Sequence, residues 1–238
     1  MEPLTLADHI LFAFLAFVLP LLMLWRQQPM TLAIPVDSSL KIRIYWTNSI
    51  VLWLGVIVVI GVWLLHDRSF SSLGFRLPAV DTFPHWMIVI AGFLLLYFGD
   101  VAVSWTSEDE HPAAAILPAT WREFLHFGSV VSVSAAVCEE IVFRGFLITY
   151  LLTVLEGHQY AAAIAAIGSA FVFGIVHSYQ GWAALLKIML LSVVFAWLFI
   201  MTKSLLLLIF LHFTVDFCSG MFAVIRKKSE DNLMRVYR

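Results

Sequence analysis

Residues 129–152 read SVVSVSAAVCEEIVFRGFLITYLL, an apolar stretch that contains two adjacent carboxylates and, one helical turn later, a guanidinium. An apolar segment of about 20 residues is long enough to cross a bilayer as a helix. Each charge at the centre of such a helix costs about 2.5–3.5 kcal/mol on insertion scales. Glu139, Glu140 and Arg144 therefore predict a functional cluster inside a membrane helix.

The rest of the chain has the same apolar character. Of its 238 residues, 62% are hydrophobic and 13% are charged, whereas soluble domains average about 45–50% apolar and about 25% charged residues. The formal net charge of −2 gives no indication of a nucleic-acid partner. Cys138 and Cys218 lack a metal-ligand spacing, and we interpret them as small buried hydrophobic residues. The composition predicts an integral membrane protein.

Seven segments are apolar enough to form membrane helices. They cover approximately residues 8–25, 47–65, 86–105, 122–155, 159–177, 183–201 and 204–225. The fourth is too long for one straight span of a hydrocarbon core about 30 Å thick, so we expect it to begin at the interface, to bend or to divide. The sequence predicts an all-α polytopic transmembrane bundle of seven or eight helices around a polar cavity, in a single membrane domain over residues 1–238.

Basic residues indicate how the bundle is oriented. Three lie in the predicted loop 26–46 and five in the tail after residue 225, and Lys and Arg collect on the cytoplasmic side. With an odd number of spans, this predicts an N-terminus outside and a cytoplasmic C-terminus. No Lys or Arg precedes the first apolar segment, so we interpret it as a retained multi-pass helix rather than a signal peptide.

The two adjacent carboxylates have different expected environments. On one helix, Glu140 and Arg144 are four residues apart and share a face, whereas Glu139 is rotated by about 100°. We interpret Glu140 and Arg144 as a buried supporting pair. Glu139 lacks that partner and is the better candidate for a general base that activates water.

Two further segments carry ionisable side chains in apolar surroundings. His177 ends the fifth segment, one turn after Phe173, and alone it is a weak signal. His212 and Asp216 are four residues apart on the seventh segment, where they can hydrogen-bond a common group, bind a metal or join two helices. Because intramembrane ionisable residues usually face the bundle interior, the three segments predict one shared cavity.

The motifs occur in a recognisable order. They are Glu139-Glu140-x-x-x-Arg144, Phe173-x-x-x-His177 and His212-x-x-x-Asp216. This order resembles the CAAX-protease and bacteriocin-processing (CPBP, or Abi) family of intramembrane endopeptidases. We assign residues 121–225 as the motif-bearing, CPBP-like core and residues 1–120 as N-terminal helices without a recognised motif. The family includes enzymes that remove the last three residues of prenylated CAAX proteins.

The resemblance implies a role for each ionisable residue of the site. Glu139 would activate the attacking water together with His177, while His212 and Asp216 would bind the substrate carbonyl and its oxyanion. Asp216 stands where prenyl-protein proteases have Asn. An ionised Asp cannot donate a hydrogen bond to an oxyanion, so Asp216 must be protonated, orient His212 or ligate a metal.

The cofactor requirement has two interpretations. Glu139, His177, His212 and Asp216 would also suit zinc or another divalent metal, but the chain contains no H-E-x-x-H motif. We predict water activation without an obligatory cofactor, and a zinc mechanism remains the alternative.

The sequence therefore predicts an intramembrane glutamate endopeptidase that cleaves a membrane-associated or lipidated protein or peptide. Membrane lipid is its expected surroundings. The alternative is a non-catalytic membrane protein that uses the polar cluster to bind a partner, such as an immunity or scaffold protein. A small transporter is disfavoured, because no inverted repeat and no pair of broken helices is recognisable.

Overall fold

The computed structural model describes residues 3–25, 36–78, 83–106 and 115–236. Within these ranges the chain forms seven long helices and no strand. They are α1 (Leu6–Trp25), α2 (Ser38–Leu65), α3 (Phe83–Thr106), α4 (residues 121–154), α5 (Ala161–Val176), α6 (Trp182–Thr202) and α7 (Leu205–Val236). The predicted all-α bundle is confirmed, and the described residues form seven helices rather than eight.

The outer surface of the bundle is apolar. Helices α1 and α2, most of α6 and residues Leu205–Asn232 of α7 are long and apolar enough to cross a membrane. Helix α5 and part of α3 (Pro84–Gly99) are shorter apolar helices. Large side chains such as Leu21, Ile57 and Leu95 are largely exposed, which suits contact with lipid rather than with water. The chain is a helical membrane protein.

Helix α4 lies at the centre of the bundle. It runs unbroken over residues 121–154, so the expectation that this segment could divide in two is wrong. It includes π-helical stretches at Phe127–Val131 and Glu140–Ile148. All nine residues of the second stretch are buried. The second stretch begins directly after Glu139. Since π-helical turns are frequent at functional sites, this position agrees with a functional site around Glu139.

Neighbouring helices contact α4 through polar groups as well as apolar ones. The Trp53 indole of α2 donates to the Ser134 hydroxyl over 3.0 Å, and the Ser169 hydroxyl of α5 donates to the Phe143 carbonyl over 3.0 Å. Helices α5 and α6 pack closely at Gly174, where an added Cβ would lie 2.1 Å from the Met189 side chain. These contacts fix the helices that carry the predicted site.

Helix α2 begins nine residues before the predicted segment. The Asp37 carboxylate caps it by accepting a hydrogen bond from the Leu40 amide over 2.7 Å. Lys41 is buried and its Nζ lies 3.4 Å from an Oε of Glu123, so this lysine neutralises an internal charge instead of marking a loop. The predicted 26–46 loop is therefore wrong over residues 38–46, because apolarity detects only the part of a helix embedded in hydrocarbon.

The other end of the predicted loop, including Arg26, lies outside the described residues. Helix α7 continues to Val236, well past the predicted end of its apolar segment, since residues 227–232 are polar or charged and exposed. The orientation of the bundle in the membrane stays a prediction.

An ion pair attaches α1 to the turn that follows α2. Asp8 is fully buried, and its two carboxylate oxygens accept hydrogen bonds of 2.7 and 2.6 Å from the Arg68 guanidinium. Arg68 also donates to the Pro3 carbonyl over 3.1 Å and lies over the Trp63 ring at 5.0 Å. A buried pair with this geometry is strongly destabilised when one partner is lost.

We expect Asp8→Asn to lower the free energy of unfolding by about 3–5 kcal/mol, because Arg68 is then left buried without its carboxylate. Thermal unfolding of the purified protein in detergent measures the change. Asp37→Asn is the matched control, since Asn caps a helix as well as Asp does. Equal melting temperatures for the two variants would contradict the role given to the pair.

Candidate active site

Three helices bring the predicted ionisable side chains to one place. Glu139 of α4 has its Oε1 3.8 Å from Nε2 of His177, which ends α5, and its Oε2 3.8 Å from Nε2 of His212 on α7. Nε2 of His212 also lies 3.7 Å from an Oδ of Asp216. These separations are too long for direct hydrogen bonds. They leave Glu139 between two imidazole rings.

Burial distinguishes the two adjacent carboxylates. The side chain of Glu139 is 12% exposed and that of Glu140 is 0% exposed, so a small molecule can reach Glu139 but not Glu140. Glu140 instead accepts hydrogen bonds at Oε1 from Arg144 over 3.0 Å and from Nδ1 of His212 over 2.8 Å. The predicted Glu140–Arg144 pair is present, and Glu140 additionally holds α7 against α4.

The Glu140 contact determines which ring nitrogen of His212 faces Glu139. A carboxylate only accepts hydrogen bonds, so Nδ1 of His212 carries the proton that it donates to Glu140. The other nitrogen, Nε2, then faces Glu139 and Asp216. A carboxylate on one imidazole nitrogen commonly fixes the tautomer and direction of the ring in this way.

His177 is oriented by backbone. Its Nδ1 lies 2.8 Å from the Phe173 carbonyl oxygen, which can only accept, so Nδ1 carries the proton. In the neutral ring, Nε2 is then a proton acceptor that faces Glu139. The residue order Phe173-x-x-x-His177 therefore has a physical basis, because one helical turn separates the carbonyl from the ring.

Arg144 is held by groups from three helices. Besides the Glu140 contact on α4, one terminal nitrogen donates to the Ser192 hydroxyl of α6 over 2.9 Å. The guanidinium lies 4.7 Å from the ring centre of Phe173 and 5.4 Å from that of Phe195. Cation–π contacts of this kind are strengthened where water is excluded. Arg144 thus fixes the positions of α4, α5 and α6 around the site.

Several residues that support the site carry no recognisable signal in the sequence. Ser192 and Phe195 of α6 carry no recognisable motif, and only the fold shows that they contact Arg144. Tyr97 of α3 supports α7 from a segment without a motif, through bonds of 2.9 Å to the Val215 carbonyl and 2.8 Å to the Ser219 hydroxyl. A tyrosine in an apolar helix was the available signal, but its partner could not be predicted.

Tyr179 is a further missed residue, in the short turn after His177. Its ring centre lies 6.2 Å from that of His177. Desolvation, together with the negative charges of Glu139 and Asp216, raises the pKa of the Tyr179 phenol. The phenol therefore keeps its proton and remains a hydrogen-bond donor at the edge of the site.

The described part of the chain contains no group of three or more His, Cys, Asp or Glu side chains arranged to hold a metal ion. The four residues considered as zinc ligands converge on Glu139, with nitrogen–oxygen separations of 3.7–3.8 Å. Cys138 is buried, and Cys218 is partly buried. We derive no chemical step through a metal.

The fold and the site together define a helical membrane protein with a buried acid–histidine centre. Residues 121–218 match the family model described as Type II CAAX prenyl endopeptidase Rce1-like. The match begins where α4 begins and includes every residue of the three motifs, and the resemblance to the CPBP family of CAAX proteases is confirmed for this segment. It supports a hydrolase that acts on peptide bonds. No curated protein and no solved structure matches the chain.

We expect Glu140→Ala to destabilise the protein by about 3–5 kcal/mol, because Arg144 and His212 both lose a buried partner. Glu139→Gln is the matched control, since it changes the neighbouring carboxylate without touching that pair. Expression yield and thermal unfolding in detergent measure both. A Glu140→Ala protein with the yield and melting temperature of the control would contradict the arrangement described here.

Proposed function

We propose that the chain is an intramembrane endopeptidase in which Glu139 and His177 activate a water molecule. The observation that carries the proposal is the position of Glu139, partly exposed and 3.8 Å from the Nε2 atoms of two histidines. A water molecule about 2.8 Å from both Oε1 of Glu139 and Nε2 of His177 would subtend an angle near 90°, which suits two hydrogen bonds. The family match supports the reaction class.

In the proposed reaction, Glu139 removes a proton from this water as its oxygen attacks the carbonyl carbon of the scissile peptide bond. The carbonyl oxygen becomes an oxyanion, and the C–N bond then breaks. Glu139 returns the proton to the leaving amine, so protons balance over the cycle. One carboxylate can perform both transfers because it contacts the water and the leaving group in turn.

His212 and Asp216 are proposed to stabilise the oxyanion. Glu140 occupies Nδ1 of His212, so the imidazolium form of His212 would direct its second N–H from Nε2 into the cavity. Two carboxylates, those of Glu139 and Glu140, lie close enough to compensate that positive charge. Preorganised donors of this type commonly contribute a factor of about 10²–10³ to kcat.

Asp216 is proposed to act in its protonated form. Since Glu140 already orients His212 through Nδ1, and Asp216 faces Nε2, an orienting role for Asp216 is not required. A protonated carboxyl group can donate a hydrogen bond to the oxyanion, as an amide can. The substrate is proposed to be a membrane-associated or lipidated protein or peptide, because the site lies within an apolar bundle.

The first test is Glu139→Gln. We expect turnover to fall by about 10²–10⁴-fold, the range of general acid–base catalysis, while melting temperature and peptide binding stay unchanged. The measurement is release of the C-terminal tripeptide from a farnesylated CAAX peptide in detergent micelles. Other substrates can be identified by mass spectrometry of the membrane proteins that co-purify with the inactive variant. Full turnover of the Glu139→Gln variant would favour the non-catalytic alternative. A wild-type phenotype in cells that carry this variant would favour it as well.

The second test separates the roles of Asp216. We expect Asp216→Asn to retain turnover within about tenfold of wild type, because Asn also donates a hydrogen bond, and Asp216→Ala to lose about 10²–10³-fold. We also expect Asp216→Asn to stay active at higher pH than wild type. Loss of activity in Asp216→Asn as large as in Asp216→Ala would instead indicate an ionised Asp216.

Chelation tests the cofactor proposal. Turnover of the purified enzyme should persist after metal removal, since the proposed steps use only side chains and water. Complete loss of activity that stoichiometric Zn²⁺ restores would replace this proposal with the zinc mechanism.

A further inference from the structure

A cavity lies near the C-terminal end of α4, away from the proposed catalytic residues. It has a volume of about 250 Å³ and is formed by the turn after α2, the end of α6 and the last third of α4. Phe146 and Thr149, which line it, follow Glu139 by seven and ten residues, so they lie roughly 10–15 Å further along the helix axis. None of the proposed catalytic side chains lines this cavity.

The wall of this cavity has an excess of positive charge. Its charged residues are three cations and one carboxylate: Arg68, Arg76, Lys203 and Asp8. Both oxygens of Asp8 are bonded to Arg68, so that pair is internally neutral. Among the described lining residues, no other carboxylate remains to balance Arg76 and Lys203. The hydroxyl-bearing residues Ser71 and Ser72 lie in the same wall.

The backbone holds Arg76 and Lys203 side by side. The Arg76 Nε donates to the Lys203 carbonyl over 3.0 Å, and the Ser204 hydroxyl donates to the Arg76 carbonyl over 2.6 Å. Burial and the adjacent Arg76 lower the pKa of Lys203. The hydrogen bond places the Arg76 guanidinium against the Lys203 backbone, and the electrostatic influence of Arg76 on Lys203 indicates that the two positive charges are near each other. An anion between them would stabilise this arrangement.

The backbone conformation of Lys203 is a further observation in favour of a ligand. Lys203 follows the last residue of α6 with φ +53° and ψ 26°, in the left-handed region. Helices commonly end on glycine at such a position, because a Cβ makes this conformation unfavourable. A lysine here retains a strained backbone while adding a cation to the cavity wall, and strained positions often have a functional role.

The remaining wall is apolar and aromatic. Trp63, Phe146 and Phe199 line it together with two leucines, Leu4 and Leu152. Trp63 is near the end of the membrane-spanning helix α2, and tryptophan is enriched at the level of lipid head groups. A ligand that suits this cavity therefore combines a compact anion with an apolar part. A phospholipid has both features, since its phosphate is a compact anion joined to apolar chains.

We propose that this cavity binds the phosphate of an anionic phospholipid, with Arg76 and Lys203 contacting the phosphate oxygens and the aromatic wall contacting the adjoining chain. An Arg fork beside a Lys point charge matches phosphate geometry. The site is separate from the peptidase centre and does not depend on the proposed function. Inorganic phosphate shares the same chemistry, and the experiment below distinguishes it from a lipid.

Native mass spectrometry of the purified full-length chain, titrated with phosphatidylglycerol, tests the proposal. The variant is Arg76→Gln combined with Lys203→Asn, because Asn tolerates the left-handed conformation. The matched control is Lys227→Gln combined with Lys228→Gln, which removes two charges from exposed positions on α7. We expect an affinity loss of about 25-fold in the variant, or about fivefold per cation, and less than twofold in the control.

Several results would overturn the proposal. They are unchanged affinity in the variant, an equal loss in the control, or displacement of the lipid by millimolar inorganic phosphate, which would make this a site for a small anion. If the variant does not fold, as judged by gel filtration, a photoreactive phosphatidylglycerol is crosslinked to the wild-type protein. Attachment at residues 63–76 or 199–205 supports the site, and attachment only elsewhere overturns it.

Discussion

The buried carboxylate of Glu140 is the contact on which the geometry of the site depends. It accepts hydrogen bonds from Arg144 on its own helix and from His212 on α7, and Arg144 in turn reaches Ser192 on α6. One negative charge thereby positions three helices around the preceding residue, Glu139. Since an unpaired charge in this environment is strongly unfavourable, the three helices cannot separate without a large loss of stability.

The same contact produces a division of roles between adjacent residues. Glu140 has no exposure and makes only internal bonds, whereas Glu139 is partly exposed and lies between two histidine rings. Each ring has its Nδ1 engaged, by Glu140 in one case and by the Phe173 carbonyl in the other. Both Nε2 atoms are left to face Glu139. A site preorganised in this way needs little rearrangement when a reaction begins.

Much of this arrangement could be predicted from sequence, because helix periodicity and the cost of charge in hydrocarbon are local properties. The Glu140–Arg144 spacing predicts a shared face, and the isolated ionisable residues of α5 and α7 predict a common cavity. Helix contacts across the bundle could not be predicted in the same way. Nothing in the sequence of α6 indicates that Ser192 meets Arg144, and Glu140 gave no signal that it also bonds His212.

Element boundaries were wrong for an identifiable physical reason. Apolarity marks the part of a helix in hydrocarbon, so α2 was predicted to begin at residue 47 although Asp37 caps it. The same criterion left open that residues 122–155 begin at the interface, bend or divide, because the length of an apolar segment does not show whether the helix is interrupted; the structure has one helix with two π-helical stretches. Lys41, interpreted as a loop charge, pairs with Glu123 inside the protein.

The protonation state of the His212 ring tests the role of Glu140 most directly. It is measured by ¹⁵N NMR of the histidine-labelled protein in lipid nanodiscs. The signal is assigned by its absence in His212→Asn. If Glu140 orients the ring, Nδ1 of His212 carries a proton in both the neutral and the charged form. A chemical shift typical of an unprotonated Nδ1 would contradict the account, because Nε2 would then no longer be the nitrogen free to act on a substrate.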